Sequence, residues 1–502
     1  MTALGESAVA GAETALIEPE DLPAAVSGLI GDGGRMQMAY AWHPDPGRVE
    51  LRYVAAAPKG DFLVWRCTPR GPVPSVATVS PLMGWYEREI TDLFGVKFRG
   101  HPEPHRLVLH QGARPVLPPL DPAYPADALM PFEPTDDSLL PEIASADVQR
   151  LPFGPVRADV VESVELIFLY VGEHILHLQP QLFFKHRGME QRFEGRSLAG
   201  GVVLAERVSG VGSFAHALAF CQAVERAAGR VAPPRALMLR SLLAELERLY
   251  NHLHYLGHLA HTTTLKVGEA EGKLLEERAK QINGRLTGSR FLRSLLIPGG
   301  LRRDLDPKPW LSGALRRLRE EIATYVRMLE STNSHLDRLI TTGVLPHEIA
   351  FDQGATGPIQ RASGFDRDLR RDHPYAAYGA LPMAVPVRTS GDAHARAQVR
   401  IAEIDMSIDL IQRVLPVLTE GPVSVDCVPL PHSEGLGWVE SPRGSLFYAI
   451  HIGSDGTLAR VKIKSPSFSN WRVFPFTVHD SNMMDYAINE ASFGLTVAGC
   501  DR

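Results

Sequence analysis

The sequence has few cysteines, and none of them stands close to another. Four occur in 502 residues, at Cys67, Cys221, Cys427 and Cys500, and no CxxC pair is present. Zinc ribbons, iron–sulfur clusters and dithiol redox centres use closely spaced cysteines, so these sites are not expected in this chain. We expect the first three cysteines to be small buried apolar side chains, and we expect no metal site.

The sequence also lacks long apolar runs and basic tracts. No run approaches the roughly eighteen apolar residues that would span a bilayer, and the first residues lack the basic and apolar regions of a secretory signal. The formal net charge is −6, with acidic and basic residues interspersed, which argues against a nucleic-acid binder. We therefore expect a cytoplasmic protein without a transmembrane segment of its own, which can still dock on a membrane subunit.

The composition is that of a folded protein too long for a single core. Hydrophobic residues make up 44% of the chain and charged residues 22%, and the length of 502 residues favours two or three domains. Seven prolines fall between Gly112 and Pro134, which predicts an extended, semi-rigid connector. We therefore divide the chain into residues 1–110, a Pro-rich linker over 111–150, and residues 151–502.

Hydrophobic patterning predicts an α+β fold. In the first part, three short runs are typical of strands, and Gly84–Phe94 is typical of an amphipathic helix that Gly95 ends. In the last part, leucine-rich periodicity predicts a central antiparallel helix bundle, and alternating residues predict peripheral β-hairpins. Long helices are predicted over residues 234–259, 268–293, 309–339 and 392–418, a shorter one over 479–492, and hairpins over 160–179 and around 454–456.

The predicted helix at 84–94 belongs to a dense motif. Glu87-Arg88-Glu89, Asp92-Leu93-Phe94-Gly95, Phe98, Gly100-His101-Pro102 and Arg106 follow one another within about twenty residues. A solvated amphipathic helix would explain the charges taken alone. The order of residues, however, resembles the signature of the 30 kDa subunit of respiratory complex I. That resemblance implies a scaffold domain without a redox centre.

A cluster of charge around Gly188 forms a second motif. His186, Arg187 and Glu190 crowd together there, and such a set is either surface charge or a site that holds an anion or moves protons. The segment HRGMEQRFEG resembles the H-R-G-x-E motif of nickel–iron hydrogenase large subunits and of the complex I 49 kDa subunit. The resemblance implies that Glu190 is a proton-transfer acid, and we take His186 as a second catalytic candidate.

Two later segments resemble the same superfamily. The loop GATGPIQRASGFDRDLRRDHPYAAY holds several arginines on glycine turns, and Arg361 is our cleft candidate among them. Glu440, Pro442, Arg443 and Gly444 match an E-x-P-R-G motif. A fused 30 kDa-like and 49 kDa-like chain of this order resembles the large subunits of energy-converting hydrogenases of the formate hydrogenlyase type.

The stretch 205–226 carries the Gly-rich turn Ser209–Gly212 and then an apolar helix containing His216. Local composition is also that of a tight connection before a core helix. In the hydrogenases that the chain resembles, four cysteine thiolates in two CxxC pairs hold nickel and iron, because such centres need soft sulfur ligands. The first pair would fall at Ser209 and Gly212, and the second in the last residues, where only Cys500 remains. We therefore expect no nickel–iron centre.

Quinone chemistry of the complex I kind also has gaps here. The 49 kDa subunit is expected to present a tyrosine in the loop that corresponds to 207–213 and a histidine in the early hairpin. In the loop 207–213 this sequence has Gly210, Val211 and Gly212 instead of a tyrosine. In the second segment, residues 154–160, it has no histidine. The remaining candidates for a cleft are Arg187, Ser209, Gly212, His216 and Arg361.

We interpret the chain as a subunit of a complex I-like, membrane-associated oxidoreductase that lines a quinone-type cleft beside an iron–sulfur cluster of a partner. Expected partners are an iron–sulfur small subunit and membrane-arm subunits, on the cytoplasmic face of the membrane. Two alternatives stay open: a non-catalytic structural adaptor, and a hydrogenase large subunit, which the missing CxxC pairs disfavour. His254, His258 and His261 share a helix face, and we favour bundle packing over a metal site there.

Overall fold

In the computed structural model, the described residues are 9–57, 61–125, 127–135, 139–141, 145–157, 162–479 and 481–502. Strands and helices are mixed, and the prediction of an α+β fold is confirmed. A small sheet with its helices comes first in the chain, and a large helical region with further sheets follows. The hairpin predicted over 160–179 begins at residues 160 and 161, which lie outside the described residues. In the segment 154–160, where a histidine was expected from the resemblance, residues 158–160 also lie outside them.

The first sheet has four strands in the order 12–16, 62–67, 48–56 and 35–45. The last three are antiparallel neighbours, whereas Ala12–Leu16 pairs in parallel with Phe62–Cys67. Their apolar residues face a core that also takes in the helices Leu22–Gly31 and Gly84–Phe94. Gly95 ends the second helix with a positive φ of 73°, a conformation that costs glycine little.

The large part is built on long helices. They span Ser213–Ala227, Pro234–Thr262, Lys266–Thr287, Trp310–Ser331 and Ala393–Val417. Proline at the start of the second of these donates no hydrogen bond and so costs nothing at a helix N-terminus. The last begins at Asp392, whose side chain accepts a hydrogen bond from the amide of Ala395.

The predicted helix over 309–339 is wrong in one respect. The chain leaves helical geometry at Thr332 and resumes as a separate helix, Asn333–Leu339. Thr332 donates its hydroxyl to the carbonyl of Met328 at 2.7 Å, a local bond that competes with the helical ladder. The last predicted helix is likewise shorter and spans Tyr486–Phe493.

Two further sheets flank the helices. One contains the antiparallel strands Gln149–Phe153, Glu165–Val171 and His174–Gln181, with its turn at Gly172 as predicted. The other joins Val9–Ala10, Glu434–Ser441, Gly444–Ile452 and Leu458–Lys464. The chain also contains shorter strands and α-helices. They are strands 73–74, 98–99, 296–297 and 300–301 and helices 189–193, 198–205, 347–352, 358–362, 369–372, 466–473 and 497–501. Within the described residues, no helix is long and apolar enough to cross a membrane.

Candidate functional site

Side chains of helix Pro234–Thr262 hold the Gly-rich turn Ser209–Gly212 and the start of helix Ser213–Ala227. Glu247 accepts hydrogen bonds from the amides of Phe214 and Ala215 at 2.8 and 2.9 Å, so its carboxylate caps the helix. Asn251, one turn later, donates Nδ2 to the carbonyl of Val211 at 2.9 Å. The spacing of four residues on one helix face therefore positions both ends of the turn.

This turn meets the last residues of the chain. The Oγ of Ser209 lies 3.6 Å from the point where a Cβ on Gly499 would stand, and the Oγ1 of Thr496 lies 2.5 Å from it. Ser467 and Thr496 are joined through their hydroxyls at 3.0 Å. We call residues 207–213 together with 494–499 the junction. Hydroxyls of Ser209, Ser467 and Thr496 lie where the two segments meet, next to Gly499.

Arg187 crosses the junction. Its guanidinium donates to the carbonyls of Arg207 at 3.0 Å and Val208 at 2.6 Å on one side, and to the carbonyl of Ala498 at 2.9 Å on the other. Burial lowers the pKa of Arg187, but an arginine keeps its charge at neutral pH. The structure thus brings two of the predicted residues, Arg187 and Ser209, to one place.

His186 lies beside the junction and contacts its C-terminal flank. Its Nδ1 is 2.7 Å from the carbonyl oxygen of Asp501, so Nδ1 carries the hydrogen that it donates. Burial lowers the pKa of His186, and the imidazole is therefore neutral at physiological pH.

Glu190 lies in a buried charge cluster instead of at the junction. Its carboxylate contacts Arg460 at 2.7 Å and both Lys462 and Arg502 at 3.1 Å. The last two cations also pair with Glu89 of helix Gly84–Phe94, at 2.7 and 3.0 Å. Burial alone would raise the pKa of Glu190, but Lys462, Arg460 and Arg502 outweigh it and lower that pKa to about 2. Glu190 is therefore ionised at neutral pH. Through the shared cations Lys462 and Arg502, it belongs to the same ionic cluster as Glu89.

His216 is enclosed beneath the turn. Its Nδ1 lies 2.8 Å from the hydroxyl of Tyr448, and its Cδ2 lies 3.6 Å from the point where a Cβ on Gly212 would stand. Burial lowers its pKa to about 3, so the ring is neutral. Gly212 and His216 are therefore adjacent, as their spacing on the chain requires.

Arg361 lies in a buried ionic network. It is fully buried and pairs with Glu403 at 2.6 Å and Glu440 at 2.9 Å. The partners of Arg361 among the described residues do not belong to the junction. Arg248 and Arg370 extend the same ionic network to Glu245 and Asp368.

The comparisons with known proteins bear on this geometry. The chain is 33% identical over 419 residues to formate hydrogenlyase subunit 5 of Escherichia coli (strain K12), covering 82% of this chain and 74% of that protein. The chain therefore belongs to the family of formate hydrogenlyase subunit 5.

Family models add the two halves of the resemblance. The 30 kDa subunit of respiratory-chain NADH dehydrogenase matches residues 15–128, and the 49 kDa subunit matches 274–430 and 425–502. Nickel-dependent hydrogenase matches residues 187–282. The predicted membership of the fused complex I and hydrogenase large-subunit family is confirmed.

Two further family members show the same relationship. The C/D fusion protein of NADH-quinone oxidoreductase from Gluconacetobacter diazotrophicus is 29% identical over 483 residues, covering 86% of this chain and 79% of the relative. Among solved structures, a chain of the membrane-bound sulfane sulfur reductase, an archaeal respiratory membrane complex, superposes with a TM-score of 0.67 at 25% identity. That match covers 72% of this chain and all of the other.

The hydrogenase relatives raise the question whether this family member has ligands for nickel. At the junction, Ser209 and Thr496 offer hydroxyls and Gly499 offers no side chain, whereas a nickel–iron centre needs soft thiolates. Cys500, the nearest cysteine in the chain, is buried, and burial raises its pKa well above the usual range, so it is a thiol. The residues present do not fit a nickel–iron centre. More broadly, no group of three or more His, Cys, Asp or Glu side chains within the described ranges is arranged to hold a metal.

The three aligned histidines of helix Pro234–Thr262 lie on its exposed face. The rings of His254, His258 and His261 are nearly parallel, with centroids 6.4 and 6.2 Å apart. The outer two contact glutamates of the next helix, Glu276 at 3.0 Å and Glu269 at 2.9 Å. The outer two therefore contact the next helix, but all three side chains are exposed, whereas from the sequence we favoured inward polar contacts within a bundle.

Three residues hold the junction although sequence reasoning gave them no role there. Arg443 donates to the carbonyl of Gly494 at 2.9 Å and to Oδ1 of Asn251 at 2.7 Å, and Asn251 in turn holds Val211. Arg443 therefore links both halves of the junction. Glu247 completes the set, and burial raises its pKa to about 7. The P-R-G motif pointed to Arg443, but no local pattern distinguishes Asn251 or Glu247 from other helix residues.

Proposed function

We propose that this chain is a peripheral subunit of a membrane-associated oxidoreductase complex of the complex I and hydrogenase kind, and that it works without a nickel–iron centre of its own. The observation that carries this proposal is the donor set of the junction, which offers the hydroxyls of Ser209 and Thr496 and no thiolate. Arg187 and Arg443 donate hydrogen bonds to its backbone carbonyls. The chemistry that this site supports is polar recognition and proton exchange.

For the finer function, we propose a quinone-type cleft at the junction, beside an iron–sulfur cluster carried by a partner. A quinone headgroup accepts hydrogen bonds at its two oxygens and takes up protons when reduced. Arg187, Arg443 and Ser209 supply donors, with His186 next to them. Glu190 was our first candidate for proton supply, but with a pKa of about 2 it holds no proton at neutral pH. Glu247, whose pKa is raised to about 7, is the carboxyl group better suited to exchange one.

The assembly follows from the same reasoning. We propose an iron–sulfur small subunit and membrane-arm subunits as partners, with this chain on the cytoplasmic face of the membrane. We retain the division into a 30 kDa-like unit over residues 1–110, a linker over 111–150, and a 49 kDa-like unit over 151–502. The relatives named above include subunits of formate hydrogenlyase and NADH-quinone oxidoreductase, which supports such an arrangement.

The decisive experiment is photolabelling of the purified native complex with an azido-quinone, followed by peptide mapping and by nickel analysis. We expect label on peptides 203–216 or 490–502 and no stoichiometric nickel. An excess of unlabelled quinone should suppress that label. Labelling elsewhere only would reject the cleft, and nickel together with hydrogen uptake would reject the loss of the metal centre.

A structural adaptor is the second candidate, and one observation favours it. Ser209 is only 6% exposed, and Arg187 bonds both halves of the junction, so the junction is closed in the isolated chain. The variant Arg443→Met separates the two functions. If the complex assembles but loses electron transfer to quinone, the junction is catalytic; if assembly and turnover both persist, the chain is an adaptor.

A further inference from the structure

A cavity of about 270 Å³ lies between the first sheet and the loop that follows helix Pro358–Ala362. It is separate from the junction, since no residue of 207–213 or 494–499 lines it. Arg35 and Gln37 reach it from the sheet, and Gln360 and Arg367 reach it from the large domain. The cavity thus lies where two parts of the chain meet.

Three cations surround this cavity and form no direct ion pair with a described carboxylate, although Glu440 acts on Arg35 and Lys464, and Asp372 on Arg367, at longer range. Arg35 donates to Gln360 Oε1 at 3.0 Å and to the carbonyl of Ala355 at 2.6 Å. Lys464, behind the wall and 4% exposed, donates to the hydroxyl of Ser445 at 2.7 Å. Arg367 has one nitrogen, Nη1, that is buried and bonded to no described atom.

Four carboxylates of the cavity wall form ion pairs with three arginines. Each one pairs with an arginine other than these cations, at distances of 2.5 to 2.9 Å. The pairs are Asp366 and Asp372 with Arg371, Asp368 with Arg370, and Glu440 with Arg361. Because Arg371 serves two of these carboxylates, and Arg361 and Arg370 also pair with Glu403 and Glu245, the wall keeps part of its negative charge.

The side-chain amide of Gln360 is a second, independent indication of a ligand site. It is 4% exposed, and its Nε2 has no hydrogen-bond partner among the described atoms. Arg35 occupies its Oε1, so the amide nitrogen is the atom left for the cavity. A buried donor without an acceptor costs free energy, and an anion supplies acceptors only.

The cations also disturb one another. Burial lowers the pKa of Arg35 to about 9, with the charge of Arg367 as the next cause. Burial lowers the pKa of Lys464 to about 7, with the charge of Arg35 as the next cause. A negative ligand would offset both desolvation and repulsion.

We propose that this cavity binds a small oxyanion between Arg35, Arg367 and the amide of Gln360. Its volume of about 270 Å³ holds a phosphate-sized ion with several waters, or a short dicarboxylate. The two sources share the chemistry of paired, negatively charged oxygens. The inference is independent of the quinone proposal, because the cavity and the junction have no lining residue in common.

The test is isothermal titration of the purified full chain with inorganic phosphate, and in a second arm with succinate, in a chloride buffer without other oxyanions. We expect saturable binding with one site per chain in one of the two arms, and the stronger arm identifies the source. Arg367→Gln should weaken that binding at least about tenfold, because a charge-assisted donor is lost. Arg413→Gln, which changes an exposed arginine of helix Ala393–Val417, is the control.

Arg367→Gln is preferred to Arg35→Gln, since Arg35 also holds Ala355 and its loss could unfold the loop. Circular dichroism and the melting temperature of each variant show that it is folded. Absence of saturable binding in both arms for the wild-type chain overturns the proposal. Equal affinities in Arg367→Gln and Arg413→Gln would overturn it as well, because the bound ion would then lie elsewhere.

Discussion

The Nη2 atom of Arg187 donates a hydrogen bond of 2.9 Å to the carbonyl oxygen of Ala498, more than three hundred residues further along the chain. The same guanidinium holds the carbonyls of Arg207 and Val208. Carbonyls in irregular loops need donors, and Arg187 supplies them to both halves of the junction. Arg187 therefore holds the two halves of the junction together and also places a positive charge there.

Replacement of Arg187 by methionine should loosen both loops. Three charge-assisted hydrogen bonds disappear, and we expect local stability to fall by about 2–4 kcal/mol. Hydrogen exchange followed by mass spectrometry measures this on peptides 203–213 and 494–502. The exposed Arg196→Met is the control. Unchanged protection of the two peptides in Arg187→Met would contradict the role that we assign.

Replacement of Glu190 by glutamine should destabilise the whole chain. Arg460, Lys462 and Arg502 would lose a shared counter-charge in a buried site, which typically costs about 3–5 kcal/mol. Denaturant unfolding measures this loss, and Glu320→Gln, an exposed glutamate of helix Trp310–Ser331, is the control.

The stability cost of Glu190→Gln should depend on pH with a defined sign. The folded-state pKa of Glu190 is lowered from 4.5 to about 2, so its contribution is complete above 4.5 and is lost as pH falls toward 2. The difference in free energy of unfolding between wild type and Glu190→Gln should therefore shrink between these values. A difference that stays constant with pH would show that the carboxylate charge is not the cause.

Local patterns predicted the elements better than the site. Helix Gly84–Phe94 and its end at Gly95 follow from spacing and from the freedom of glycine, which act within a few residues. By contrast, Glu190 and Arg502 pair over 312 positions of sequence. No periodicity reports such a pair. The sequence therefore located the HRGxE motif but assigned Glu190 a mobile proton that its tertiary partners remove.

Glu247 should show the opposite dependence on pH. Burial raises its pKa from 4.5 to about 7 in the folded state, so the folded chain binds more protons than the unfolded chain between these values. Its contribution to stability is therefore present below 4.5 and is lost as pH rises through 7. Relative to wild type, Glu247→Gln should become more stable as pH rises from 5 to 8 in denaturant unfolding. Exposed Glu320→Gln is the control, and parallel pH profiles for wild type and Glu247→Gln would refute this assignment.

The closeness of Ser209 and Gly499 can be tested by a disulfide. The Oγ of Ser209 is 3.6 Å from the ideal Cβ position on Gly499, which suits a bridge between two cysteines once the side chain of Thr496 turns away. We expect the double variant Ser209→Cys, Gly499→Cys to form this disulfide on oxidation, detected by loss of thiol alkylation. The single variant Ser209→Cys controls for pairing with the native Cys500.

The same bridge also decides whether the junction must open to work. A covalent link between residues 209 and 499 holds the junction closed, so a quinone that enters between the two loops should lose access when the double variant is oxidised. Azido-quinone labelling of the purified complex should then fall after oxidation and return after reduction. Equal labelling of the oxidised and the reduced double variant would place the quinone outside the junction. The closed arrangement that Arg187 holds would then be the permanent structure of the junction.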